Sequence, residues 1–240
     1  MDPRKRIIFA LDVPTKELAL SWVDKLHDHV GSFKVGLESH NTIGGPQIAK
    51  SVIGVGGGVF YDGKFHDIPN TVAGASKGVA ALGVDFFNVH ASGGVAMMKA
   101  AVANKGTSMV IAVTVLTSIG TEECELTYGA SVKAKVLQFA RDAVVAGCDG
   151  IVCSAQELEF LAGYPELDGL LRITPGIRLV DSDVGDQKRV MGPKEAIMAR
   201  ADYLVVGRDI AKAEDPVSVA QRYVEQVACG MEALEVGKSA

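Results

Sequence analysis

No apolar stretch of this sequence reaches the roughly 18 residues that a membrane-spanning helix needs. The opening MDPRKRIIFALDV has only a short apolar run and then an aspartate, so neither a signal peptide nor a membrane span is expected there. Positive charge is also in short supply. Lys and Arg total 24 against 29 Asp and Glu, the net charge is −5, and both signs are mixed along the chain. That excludes the basic stripe of a nucleic-acid binder but leaves room for a local anion pocket. Cysteine is sparse: Cys124, Cys148, Cys153 and Cys229 form no CxxC pair. Free thiols in a reducing cytosol are expected, not bridges or a zinc site. No Pro/Ser-rich linker or break in composition divides residues 1–240, so one domain is expected.

What is present is alternation. Short β-branched or aromatic runs lie at 6–13, 32–37, 59–65, 85–91, 109–116, 150–155, 171–177 and 202–210. Helical patterns lie at 15–29, 45–53, 69–82, 93–104, 130–146, 156–162, 192–200 and 215–228. Strands alternating with helices imply parallel pairing through crossovers. Eight such units at about 30 residues each predict an α/β fold, a closed (β/α)8 TIM barrel. Gly83, Gly106 and Gly147 follow helices, where a left-handed residue is wanted. The run Gly54–Gly58 precedes a strand, whereas a dinucleotide loop follows one. It reads as a loop on the far side of the barrel.

Active sites of such barrels lie at the C-terminal ends of the strands. Polar residues collect there: Asp12, Lys34, Asp62 with Lys64, His90, Thr117, Arg178 and Arg208. Side chains alternate along a strand, so Asp62 and Lys64 project to one side and into the mouth. Tyr61, Gly63 and Phe65 then face the helices. Lys34, on the neighbouring strand, brings a second ammonium. A structural ion pair would explain Asp62 and Lys64 alone; the added Lys34 favours a functional cluster.

The stretch Asp62-x-Lys64-x-x-Asp67 followed by Ile68-Pro69-Asn70-Thr71 resembles the signature of the orotidine 5′-phosphate decarboxylase family. The likeness runs through nearly the whole chain, in FALDVPT, FKVGLE, KFHDIPNTV, NVHASGG, VTVLTS, ITPGIR, GDQKRV and VVGRDI. The resemblance implies that Lys34, Asp62, Lys64 and Asp67 form a catalytic array acting on orotidine 5′-phosphate. It implies a homodimer in which Asp67 and Thr71 reach into the partner's site, with Ile68 and Asn70 of the same segment also near substrate. Asp12 and Lys34 match the ribose-holding positions, Thr117 a pyrimidine-contacting hydroxyl, and Pro175 an apolar wall beside the reacting carbon. Arg178, Gln187, Gly207 and Arg208 match the phosphate-gripping group, with Gln187 on a lid spanning 179–191. Neither metal nor cofactor is implied.

Loss of CO2 from C6 of that substrate leaves electrons in an in-plane orbital that the ring cannot delocalise. An ammonium fixed beside C6 can stabilise them and supply the proton. Lys64 is the candidate, its charge kept by Asp62 and Asp67 on either side. Repulsion between Asp62 and the substrate carboxylate ranks below this effect. His27 and His29 read as surface, His66 as having no proton-transfer role, and His90 as hydrogen-bond support. Three stretches depart from the family pattern. Gly63 stands where an aliphatic group is expected, which would loosen the strand; ESHNTIGG is unusually polar; Gly54–Gly58 has no functional account. Two other readings stay open: a metal-dependent sugar-phosphate decarboxylase or epimerase, and a nucleotide-binding protein without turnover.

Overall fold

The computed structural model describes residues 2–179 and 191–239, with side chains as far as 236. Eight parallel strands close into a barrel: β1 (Ile7–Ala10), β2 (Ser32–Val35), β3 (Gly58–Phe65), β4 (Phe86–His90), β5 (Met109–Val113), β6 (Gly150–Val152), β7 (Leu171–Pro175) and β8 (Tyr203–Val206). Each pairs with the next, and β1 pairs with β8. The predicted (β/α)8 barrel is therefore the observed one. Each predicted strand is found, but most end earlier than the sequence suggested. The largest difference is at 207–210: Gly207 leaves the sheet, and Arg208–Ala211 form a helical turn. The short helices Leu37–Ser39 and Thr121–Tyr128 and the π-helix His40–Gly44 were also not foreseen.

Two apolar layers hold this together. Ile8, Phe60, Phe86, Ile111 and Ile173 fill the barrel interior. A larger cluster, with Phe9, Phe33, Tyr61, Phe87 and Ile151, joins the sheet to the helices. Fully burying one such side chain is worth about 1.5–3 kcal/mol.

A repeated carboxylate clamp fastens the N-terminal face. Asp85, Asp149 and Asp202 each stand one residue before an even-numbered strand. Their carboxylates accept the N–H groups of Val59 (2.9 Å), Val110 (2.8 Å) and Arg172 (2.9 Å), each on the preceding strand. The aspartate N–H groups return bonds to the carbonyls of the same three residues. Gly31 holds this place before β2, because a Cβ there would lie 2.6 Å from the Cα of Lys5. The Gly54–Gly58 run now has a structural account at its end. It lies on this far face, as predicted, and a Cβ on Gly58 would lie 2.5 Å from the Asp85 carboxylate. Gly83, Gly106 and Gly147 all adopt positive φ, as expected after helices.

The polar stretch ESHNTIGG bonds largely to backbone. Ser39 Oγ donates to the Leu11 carbonyl at 2.6 Å, and Asn41 Nδ2 to the Leu37 carbonyl at 2.7 Å. The His40 ring lies 4.4 Å from that of Tyr61, behind β3. Gly63 leaves no hole. The Tyr61 and Phe65 rings close over it, and a Cβ would meet them at 3.1 and 2.8 Å. The loosening expected from a missing aliphatic group is thus corrected: no space is left to fill.

Candidate active site

At the C-terminal mouth, four charged side chains from three adjacent strands form a line. Lys34 Nζ lies 3.1 Å from Asp12 Oδ1 and 3.2 Å from Asp62 Oδ2, and Lys64 Nζ lies 2.6 Å from Asp62 Oδ1. Burial works against the Lys34 ammonium, but Asp62 and then Asp12 outweigh it and raise its pKa. Burial also works against the Asp62 carboxylate. Lys34, Lys64 and the Asn88 amide outweigh it and hold Asp62 below the usual carboxylate range. Gly36 makes the outer pair possible. A Cβ there would lie 2.6 Å from Asp12 Oδ1 and 2.7 Å from Lys34 Nζ.

The end of β3 is built unlike a regular strand. Tyr61 pairs with Phe87 and Phe65 with Val89. Between those pairs, Asp62, Gly63 and Lys64 face Asn88 alone. The alternation still sends Asp62 and Lys64 inward, but Lys64 has φ +49°, a left-handed conformation that side chains other than Gly seldom adopt. Asn88 fills the widened gap. Its Nδ2 donates to Asp62 Oδ1 at 2.6 Å, and its Oδ1 accepts the Lys64 backbone N–H at 2.7 Å. Sequence reasoning missed Asn88. The available signal was a polar residue at an inward position of β4, between Phe86 and His90.

Two cavities meet at this array. One is lined by Lys34, Asp62, Lys64 and Asn88 at its polar end, and by Val113, Thr117, Val152, Ile173 and Pro175 beyond. The other is lined by Asp12, Lys34, Pro175, Arg178, Gly207, Arg208 and Asp209. They share Lys34, Pro175 and Val205. Of the residues singled out from sequence, Asp12, Lys34, Asp62, Lys64, Thr117, Pro175, Arg178, Gly207 and Arg208 thus gather in one cleft. Asp67, Ile68, Asn70 and Thr71 are exposed and do not line it within one chain. The Asp67 carboxylate accepts the Ile68 N–H at 2.6 Å. Within one chain, then, Lys64 has Asp62 against it but not Asp67 on its other side. Gln187, and most of the predicted lid, lie outside the described residues.

His90 faces the ring of His66 at 5.5 Å, and burial lowers its pKa. All four cysteines are free thiols. Cys153 lines the cavity, but burial pushes its pKa up to about 12, so it is a poor nucleophile there. Among the described residues, no group of three or more His, Cys, Asp or Glu is placed to hold a metal ion. No helix among them is long and apolar enough to cross a membrane.

A closed barrel with a cleft of paired charges at its C-terminal mouth defines a (β/α)8-barrel enzyme. Comparison with known proteins narrows this. Residues 5–223 match the model of the Orotidine 5′-phosphate decarboxylase / HUMPS family, and the chain belongs to that family. A relative named orotidine 5′-phosphate decarboxylase from Moorella thermoacetica is 45% identical, covering 95% of this chain and 94% of its own. Another of that name, from Pseudoalteromonas translucida, is 48% identical over 90% of this chain and 94% of its own. The crystal structure of orotidine 5′-phosphate decarboxylase from Lactobacillus acidophilus superposes with a TM-score of 0.81 at 33% identity, covering 92% of this chain and 98% of that one.

Proposed function

We propose that this chain removes CO2 from C6 of orotidine 5′-phosphate to give uridine 5′-phosphate. The carrying observation is the two-ended cleft. One end joins an apolar pocket to the Asp62–Lys64 pair, the other presents Arg178 and Arg208, and Lys34 and Pro175 stand between. A nucleotide has matching parts: a flat base, a ribose and a phosphate. The family and the names of its relatives agree with this reading.

In the proposed mechanism the bond from C6 to the carboxylate breaks and its electron pair stays on C6. The Lys64 ammonium stabilises that charge and gives C6 a proton; the neutral amine then regains one from water. Asp62, held by Lys34, Lys64 and Asn88, fixes the ammonium in place. Asp12 and Lys34 hold the ribose hydroxyls, Thr117 meets the pyrimidine, and Pro175 walls the reacting carbon. Arg178, Gly207, Arg208 and Gln187 take the phosphate. The reading assigns neither metal nor cofactor.

We infer a homodimer with shared sites. Asp67, Ile68, Asn70 and Thr71 stand exposed at the mouth of their own barrel. Ile68, an apolar side chain, is 66% exposed. A second copy would cover it and receive Asp67 and Thr71 beside its own Lys64. The pairing of β1 with β8 supports one catalytic domain over 1–240, and four free thiols suit the cytoplasm.

The test is direct. Protein treated with EDTA is mixed with orotidine 5′-phosphate and its ultraviolet absorbance is followed. Turnover without added metal is expected. Absence of turnover removes the reading, and activity appearing only with Mg2+ moves it to metal-dependent chemistry.

A further inference from the structure

The cavity that carries Arg178 and Arg208 also contains a carboxylate, Asp209, which the proposed phosphate chemistry leaves unexplained. Its partners explain it. Asp209 Oδ2 lies 2.5 Å from the hydroxyl of Tyr223 and accepts the Leu179 N–H at 3.3 Å. Tyr223 belongs to the C-terminal helix Pro216–Ser239 and is fully buried. Its hydroxyl also lies 3.2 Å from the Ile177 carbonyl oxygen. A phenol has one proton, and the nearer, charged acceptor takes it. Burial and then the Asp209 carboxylate push the phenol pKa up, so the hydroxyl stays a donor.

The connectivity gives these contacts their meaning. Leu179 directly follows Arg178, and Asp209 directly follows Arg208. One carboxylate oxygen therefore joins the chain after β7 to the chain after β8, and the Tyr223 hydroxyl fastens both to the C-terminal helix. Each arginine is thereby one residue from a fixed point. A guanidinium on a wandering backbone would have to be ordered by the ligand, and that ordering would weaken binding.

We propose that Asp209 and Tyr223 are positioning residues for the phosphate end of the cleft, a tether that sets Arg178 and Arg208 before a phosphate monoester arrives. The assignment rests on the reading of that end as a phosphate site. Neither residue touches the reacting carbon in this scheme, so the effect falls on binding and not on the chemical step.

The test uses the full chain and two readouts: affinity for uridine 5′-phosphate by calorimetry, and KM against kcat for orotidine 5′-phosphate. Tyr223→Phe keeps the ring and removes the hydroxyl. It is expected to weaken uridine 5′-phosphate binding and raise KM by about tenfold, with kcat within threefold of wild type. Should that buried variant fail to fold, half-buried Asp209 carries the test. Asp209→Ala is expected to weaken binding at least threefold, and Asp209→Asn, which keeps an acceptor, to stay within twofold of wild type. Unchanged affinity in a folded Tyr223→Phe protein overturns the proposal. So does tighter binding by Asp209→Ala, or a fall in kcat as large as the rise in KM. Wild-type protein that binds uridine 5′-phosphate but leaves orotidine 5′-phosphate intact would remove the decarboxylase reading alone, and the affinities would still judge the tether. Wild-type protein that binds no phosphate monoester overturns both.

Discussion

The side-chain oxygen of Asn88 accepts the backbone N–H of Lys64 at 2.7 Å, on a backbone that regular strand pairing would not support. Lys64 owes its direction to this contact as much as to its ion pair with Asp62. The strained turn lets an ammonium rise from the end of β3 and still fold back on a carboxylate two residues earlier.

Asn88→Ala should therefore damage the site through Lys64 and Asp62. It leaves the Lys64 N–H unpaired, at about 1–3 kcal/mol, and removes one donor from buried Asp62, which keeps both lysines. We expect kcat to fall by about 10- to 100-fold with KM nearly unchanged, because ground-state contacts survive. Steady-state kinetics beside a denaturant titration checks both parts. Unaltered kcat would remove Asn88 from the account.

The left-handed backbone at Lys64 predicts an inversion of the usual glycine penalty. Where φ is positive, glycine is relaxed and alanine strained, by about 1–2 kcal/mol. Lys64→Gly should therefore be more stable than Lys64→Ala by about 1 kcal/mol, less the added entropy of unfolded glycine. Denaturant midpoints of the two variants measure it. Alanine as the more stable of the two would mean that Lys64 is not strained.

Stability should fall on mild acidification. Burial lowers the pKa values of His40 and His90 below 6.5 in the folded protein. His40 Nε2 is buried and has no hydrogen-bond partner among the described residues. Below pH 6.5 the unfolded chain binds the extra protons first. The contribution of these histidines is thus full above 6.5 and is lost as pH falls through their depressed native values. Asp62, also lowered, acts in the same direction but only below the ordinary carboxylate value of 3.8. Lys34, raised, contributes below 10.5 and is lost as pH rises through its raised native value. Denaturant midpoints from pH 8 to 5 should decline below 6.5, and the His40→Gln/His90→Gln double variant should flatten part of that decline. A midpoint that holds level in wild type contradicts it.

Side-chain chemistry made much of this molecule legible before any coordinates. The inward pair Asp62 and Lys64 follows from period-two alternation, and the barrel from eight alternating units. What stayed hidden depends on backbone paths and on contacts distant in sequence. Lysine carries no preference for positive φ, so the turn at Lys64 leaves no trace in residue type. Asn88 looks like one more residue of an apolar strand until the widened gap beside it is seen. Asp85 and Asp202 read as the first residues of strands, because a clamp to the preceding strand needs the register. Asp209 reads as strand 8 and Tyr223 as one apolar position of a helix; only the fold brings their oxygens together.

The central claim is that the Lys64 ammonium both stabilises the charge at C6 and supplies its proton. The most direct measurement is turnover of orotidine 5′-phosphate by Lys64→Ala, with uridine 5′-phosphate affinity taken on the same preparation. The account predicts loss of turnover by at least 10,000-fold, within the range of transition-state electrostatics combined with proton transfer, while the nucleotide still binds. Turnover within tenfold of wild type in a folded, nucleotide-binding variant would contradict it.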